Sequence, residues 1–284
     1  MRFEALLLLL LMVLFMFGGY VQSTSDWASS PMYILGCAKG IESSRLAGLN
    51  RNIRLLLGTL KEPNLGSVII YADQHSKQAF LSSNSTPYII IDDIFDHEAA
   101  RTVRIAKCRN VLLSMVAQMV SLKKETVSDV HYIMMDLDGV NDKHYNMTIF
   151  NEVTKNLDKW QVLSFNRPNY YDLWALRYQR MDVNVWDTPD PGQAIKVLQN
   201  DIKKELAHAE DPFYPVFSAF NGIAIYQYNY TFGCEYIGKE VGRRGTPFDC
   251  EHVSFHKCMI AKNNATIVVY KHSLVLLSSA VKRR

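Results

Sequence analysis

Val130-His131-Tyr132-Ile133-Met134-Met135-Asp136-Leu137-Asp138-Gly139-Val140-Asn141-Asp142 decides how this chain is read. A short apolar run bounded by a glycine reads as a buried strand of a mostly parallel sheet. The run ends in two carboxylates, Asp136 and Asp138, spaced i, i+2, at the strand end where an open α/β sheet places its ligands. In a continuing strand the two side chains share one face, and at a fraying strand end both reach one cation. A hard divalent metal takes few protein carboxylates and completes its shell with phosphate oxygens and water. The simplest chemistry for Asp136-Leu137-Asp138 is therefore to hold a metal–diphosphate unit. The plain alternative is a strand followed by an acidic turn, since Asp and Gly are ordinary turn residues.

Upstream, the pattern alternates strands and helices. Met32–Ala38 reads as a first strand, and apolar residues recurring at Leu46, Leu49, Ile53, Leu56 and Leu60 read as a helix over residues 43–60. Ser67–Ala72 is a second strand with Asp73 at its end, and Tyr88–Ile91 a third that closes on Asp92-Asp93. Residues 97–122 carry the longest helical pattern, with Val103, Ala106, Leu113, Val116 and Val120 on one stripe and a basic first half of Arg101, Arg104, Lys107 and Arg109. Strands and helices alternating ahead of the acidic pair predict a parallel, βαβ-type half-sheet.

Downstream, Thr148–Leu157 reads as helical, Trp160–Phe165 as a strand, and residues 193–209 as an amphipathic helix broken by Pro212–Pro215. Val216–Tyr226 contains a strand with Gly222 where backbone can approach a ligand. A Gly- and charge-rich loop follows over 233–247, then Asp249-Cys250-Glu251-His252 and a final strand, Ala265–Tyr270. A further apolar patch, Ser273–Val281, is too short to span a bilayer and reads as a core strand or helix.

With 284 residues, 48% hydrophobic and 21% charged, the chain has ample material for a core. A net charge of +3 is too small to argue for nucleic acid as a partner. Arg2 precedes an uninterrupted apolar run from Ala5 to Phe17, which suits a signal-anchor or a signal peptide over residues 1–22. We read it as a retained anchor, making a type II membrane protein of the Golgi or endoplasmic reticulum lumen; cleavage would make the protein secreted. Residues 23–31 form a short polar stem, and 32–284 the remaining domain. Sequons at Asn84, Asn146, Asn229 and Asn264 fit a lumenal glycoprotein. Five cysteines in an oxidising lumen predict a leftover thiol, and the crowding of Cys234, Cys250 and Cys258 predicts one bridge among them.

Asp136-Leu137-Asp138-Gly139-Val140 also resembles the D-x-D-G-[TV] motif of haloacid-dehalogenase-type phosphohydrolases, in which Asp136 would be the nucleophile. That motif usually opens its domain, whereas here two βα units precede it. No later strand ends in an Asp-Asp pair to complete a magnesium site. Taken in order, the Arg101–Asn110 basic segment, the acidic strand, Asn221-Gly222-Ile223-Ala224-Ile225-Tyr226 and Asp249-Cys250-Glu251-His252 resemble a GT-A type glycosyltransferase. The likeness is to small lumenal and virus-type enzymes akin to fungal capsule mannosyltransferases, and it covers roughly residues 32–272.

The resemblance implies a single GT-A (Rossmann-like) domain, an α/β fold with a mixed, mostly parallel sheet and helices on both faces. It implies a nucleotide-sugar donor, Mn2+ or Mg2+, a glycan, glycoprotein or glycolipid acceptor, and inverting chemistry in which a carboxylate takes the acceptor proton. By resemblance Asp138 would ligate the metal directly, and Asp136 would touch the ribose or the metal's water. Asp73 would meet the nucleoside, and Arg109 would brace the acidic motif or the phosphates. Glu251 would be the base, with Asp249 second. His256 would be a third metal ligand or a structural histidine, with His272 as runner-up. Tyr171, Asp172, Trp174 and Arg177 would form a wall facing the sugar or part of the core. Asn221 stands where this family would have a second glycine. A lumenal binding protein without catalysis is a third class, which the presence of Asp136, Asp138 and Glu251 together does not favour.

Overall fold

A buried strand must pair on both sides, and the acidic strand does so at the centre of an eight-stranded sheet. The computed structural model describes residues 26–83, 87–94, 100–137, 139–182, 184–238 and 249–276. Its strands are β1 (Met32–Ala38), β2 (Gly66–Ala72), β3 (Tyr88–Asp92), β4 (His131–Asp136), β5 (Val162–Asn166), β6 (Phe213–Val216), β7 (Ile223–Gln227) and β8 (Ile267–Ser273). They lie in the order β3-β2-β1-β4-β7-β5-β8-β6. The β3-β2-β1-β4 half is parallel. Then β7 runs antiparallel to both β4 and β5, β8 parallel to β5, and β6 antiparallel to β8 at the edge. The sheet is mixed and mostly parallel.

Helices cover both faces. They are α1 (Ser43–Leu57), α2 (Gln74–Ser82), α3 (Arg101–Lys123), α4 (Met147–Thr154), α5 (Pro191–His208) and α6 (Glu251–Asn263). Successive strand residues point to opposite faces. Tyr33, Leu35, Tyr132 and Met134 therefore pack with α3, α5 and α6, while Met32, Ile34, Ile133 and Met135 pack with α1 and α4. This double cover is why β4 reads as a continuous apolar run rather than an alternating one.

Two sequence expectations differ from the structure. The segment broken by Pro212–Pro215 includes β6, which tolerates Pro215 because it lies at the sheet edge. The strand expected within Val216–Tyr226 begins only at Ile223. The Ser273–Val281 patch ends β8 and buries Leu274 and Val275 in the core, its last residues lying outside the described ones. Residues 1–22, read as anchor or signal peptide, also lie outside them. Among the described residues no helix is long and apolar enough to cross a membrane.

The turn after β4 is clamped from below by α1. Asn52 is buried and donates to the carbonyls of Asn141 (2.8 Å) and Lys143 (2.5 Å), and Arg51 donates to that of Asp142 (2.8 Å). One turn earlier, a Cβ on Gly48 would collide with the Asp142 carbonyl oxygen. Gly48→Ala adds about 1 kcal/mol of helix propensity but overpacks a backbone contact, at about 1–3 kcal/mol. We expect a net loss of stability in urea unfolding. A gain would show that α1 does not press on this turn.

Candidate active site

Asp136 ends β4 in register with Cys37 of β1, and its amide donates to the carbonyl of Gly222 at 2.8 Å. The chain entering β7 reaches that position through two residues of positive φ, Asn221 (53°) and Gly222 (87°). Asn tolerates this region because its short side chain bonds locally. At Gly222 a Cβ would meet Val140 at 2.7 Å.

Asn221 does more than a glycine would. Its Nδ2 donates to Phe165 O (2.8 Å), and its Oδ1 accepts the amides of Tyr171 (2.7 Å) and Asp172 (3.1 Å). Arg167 locks the same turn to the acidic loop, donating to Asn221 O (2.8 Å), Val140 O (2.9 Å) and Asn141 Oδ1 (2.6 Å). Asn141 Nδ2 in turn donates to the carbonyls of Asp136 and Gly222, both at 2.8 Å. The acidic strand end, the β7 entry and the 167–172 loop are thus one hydrogen-bonded unit.

Arg109 lies on the buried stripe of α3, not on a solvated basic face. Its Nη1 pairs with Glu251 and its Nη2 with Asp136 Oδ1 at 3.2 Å. The guanidinium carbon sits 4.7 Å from the Phe220 ring centroid and 5.6 Å from that of Tyr236. Burial opposes its charge, but Glu251 and Asp136 outweigh that and raise its pKa. Glu251 is the first residue of α6, where the helix N-terminus also favours a negative charge.

Asp136 is only a quarter exposed, on the wall of a cleft of about 290 Å³ at the carboxyl ends of β1 and β4. Four cationic side chains line this cleft, Lys39, Arg101, Arg104 and Arg109, against two acidic ones, Asp93 and Asp136. The excess of positive charge suits a polyanion such as a diphosphate. A larger hollow of about 900 Å³, near Trp27 and Asn151, is remote from these groups.

Other expected site residues are placed differently. Asp73 caps α2 through Ser76 N (2.8 Å) and holds Gly40 N (3.0 Å), so its carboxylate is engaged in structure. Partial burial opposes ionisation there, yet these donors keep its pKa low. The acidic residue on the cleft at that end is Asp93. Asp249, the second-choice base, pairs with buried Arg177 at 2.7 Å, which also takes Arg177 away from a sugar-facing wall.

His256 is fully buried, with Nδ1 at 2.9 Å from Ser218 Oγ and Nε2 at 3.0 Å from Tyr226 OH. With both ring nitrogens so engaged it is a structural histidine and not a metal ligand. Burial, then Arg109, lowers its pKa to about 3. His272 lies exposed on β8 against Tyr270. Asp138 lies outside the described residues.

Cys37 and Cys108 form a disulfide beside the cleft, and Cys234 and Cys258 form a second. The leftover thiol is Cys250, which is buried. The bridge expected among residues 234–258 is present, whereas the sequence spacing gave no sign of the first.

The described residues fit a hard divalent cation at Asp136. Such ions need only one or two carboxylates when phosphate oxygens complete the shell. No group of three or more metal-ligating side chains occurs among the described residues.

No protein-family model matches the chain, and no curated protein matches it. Among solved structures it is similar to a mannosyltransferase from Pyrobaculum calidifontis in complex with GDP-Man and Mn2+, at 9% identity and a TM-score of 0.43, over 87% of this chain and 58% of that one. It is also similar to residues 1–349 of S. aureus TarS, at 12% identity and 0.39, over 86% and 59%. Mouse xyloside xylosyltransferase 1, in its apo form, matches at 11% identity and 0.31, over 82% of each chain. The chain spans less than two thirds of the first two proteins.

Proposed function

We propose that the protein transfers a sugar from a nucleoside-diphosphate donor to an acceptor hydroxyl, using Mn2+ or Mg2+ held by Asp136 and Asp138. The observation that carries this reading is the position of Asp136, partly exposed at the end of β4 in a cleft with an excess of cationic side chains. When bound, the cation supplies Lewis-acid neutralisation of the departing diphosphate. Arg101, Arg104 and Lys39 attract the donor phosphates, and Arg109 fixes the Asp136 carboxylate. The rigid unit of Asn141, Arg167 and Asn221 keeps that carboxylate aimed. Two disulfides fit an oxidising compartment, consistent with a lumenal setting and a glycan, glycoprotein or glycolipid acceptor.

The test is calorimetry of nucleoside diphosphates with and without Mn2+, followed by a screen of nucleotide-sugars scored by release of the nucleoside diphosphate. We expect Mn2+-dependent binding, abolished in Asp136→Asn. The phosphohydrolase alternative finds no separate support in the structure, in which Asp136 lines the cleft with its Oδ1 held by Arg109. Nucleotide-independent hydrolysis of simple phosphate esters, lost in Asp136→Asn, would reverse that judgement.

A further inference from the structure

We propose that Asp172, and not Glu251, takes the proton of the acceptor hydroxyl, an inference that rests on the sugar-transfer reading above. A general base must reach the hydroxyl it deprotonates. Glu251 is buried, paired with Arg109 and seated on the N-terminus of α6, so its carboxylate is already engaged from two sides.

Asp172 has the opposite placement. It is partly exposed on the loop between β5 and α5. Its amide is held by Asn221 Oδ1 at 3.1 Å, and its Oδ1 accepts the amide of Ala175 at 3.2 Å. Its Oδ2 accepts no hydrogen bond among the described residues, which leaves that oxygen to take the proton in this proposal. The neighbouring residue of the same turn, Gly222, holds the amide of Asp136. Asp172 and Asp136 are thus suspended from adjacent residues of one rigid turn. The shared turn ties the proposed base to the strand end that would hold the donor diphosphate. Beside Asp172, Tyr171 is 46% exposed and offers an aromatic face to an acceptor sugar ring, while the indole N–H of Trp174 has no partner among the described residues.

Charge completes the case. Arg109 already serves two carboxylates, Glu251 and Asp136. Asp172 is a third in the same neighbourhood, and the cations facing it are Arg109 and Arg101, both on α3. Partial burial, then repulsion from Glu251, raises its carboxyl to about 6, in the range where a base works near neutral pH. In the step itself the acceptor O–H bond breaks and its proton passes to Asp172 Oδ2. The freed oxygen bonds to the anomeric carbon, and the bond from that carbon to the diphosphate breaks. Its electron pair leaves with the nucleoside diphosphate.

The test uses the full chain with Asp172→Asn, Asp172→Glu and Glu251→Gln. Three quantities are read: Mn2+-dependent nucleoside-diphosphate binding, transfer rate against pH, and the urea midpoint against pH. Asp172→Asn should leave nucleotide binding intact and lower transfer by about 10²–10⁴-fold. It should also remove the acid limb near pH 6, with partial rescue in Asp172→Glu. A carboxyl whose pKa is raised by folding contributes stability that is present at low pH and lost as pH rises through the folded value. The wild type should therefore lose stability relative to Asp172→Asn between about pH 4 and pH 6, a readout independent of activity. Wild-type transfer by Asp172→Asn, or an acid limb that disappears in Glu251→Gln instead, overturns the assignment while leaving sugar transfer standing. A wild type that binds no nucleoside diphosphate with Mn2+ overturns the sugar-transfer reading and this assignment with it.

Discussion

Replacing Arg109 by alanine should destabilise the protein by about 3–5 kcal/mol, the usual cost of removing one partner of a buried ion pair, and should abolish donor binding. An exposed pair would cost under about 1 kcal/mol, so the size of the loss tests the burial directly. The guanidinium holds Glu251 and Asp136 together from helices and strands distant in sequence, and it packs over Phe220 and Tyr236. Without it Glu251 keeps a charge with almost no access to water, whereas Asp136, a quarter exposed, can recover hydration. Arg109→Lys retains the charge but not the planar fork that serves two carboxylates at once, and should fall between. Combining Arg109→Leu with Glu251→Leu removes the stranded charge and should recover part of the stability. Urea midpoints of the four proteins decide it. A single-variant loss near that of a surface pair would mean that the guanidinium is not the buried bridge described.

The parallel half of the sheet was legible because its signals are local. β1 runs from Met32 to Ala38 as the apolar run does, and β2, β3 and β4 lie within a residue or two of the reading. α2 is hidden in the sequence although Asp73, three residues before Ser76, is an ordinary N-cap signal, because a carboxylate at a strand end suits a ligand equally well. β6 was missed because two prolines break a helix in any sequence reading, and only the completed sheet shows that the segment is an edge. Arg109 falls on the stripe of Thr102, Ala106, Leu112 and Val116. No window of sequence reveals that two carboxylates, 27 and 142 residues away, meet it there. The same holds for Asp172 and Asn221, which are separated by 49 residues. Site chemistry assembled by long-range contacts is written in pairs that a linear reading sees singly.

The two disulfides should behave differently when removed. Cys37 lies beside Asp136 in the β1–β4 register, and Cys108 immediately precedes Arg109, so this bridge bolts α3 to the strand end that carries the acidic motif. Closing a loop of 71 residues stabilises by about 4 kcal/mol in the chain-entropy account. The Cys37→Ser, Cys108→Ser double variant should lose roughly that much. It should also bind nucleoside diphosphate with Mn2+ more weakly, because Arg109 and the cleft wall lose their tether. Cys234–Cys258 closes a loop of 24 residues and is anchored in the later part of α6, away from Glu251 at its start. Its removal should cost about 3 kcal/mol by the same account but leave nucleotide binding unchanged in protein that remains folded. Urea unfolding and calorimetry on the two double variants separate stability from site geometry. Equal loss of binding in both would show that the first bridge acts on the fold as a whole and not on the position of Arg109.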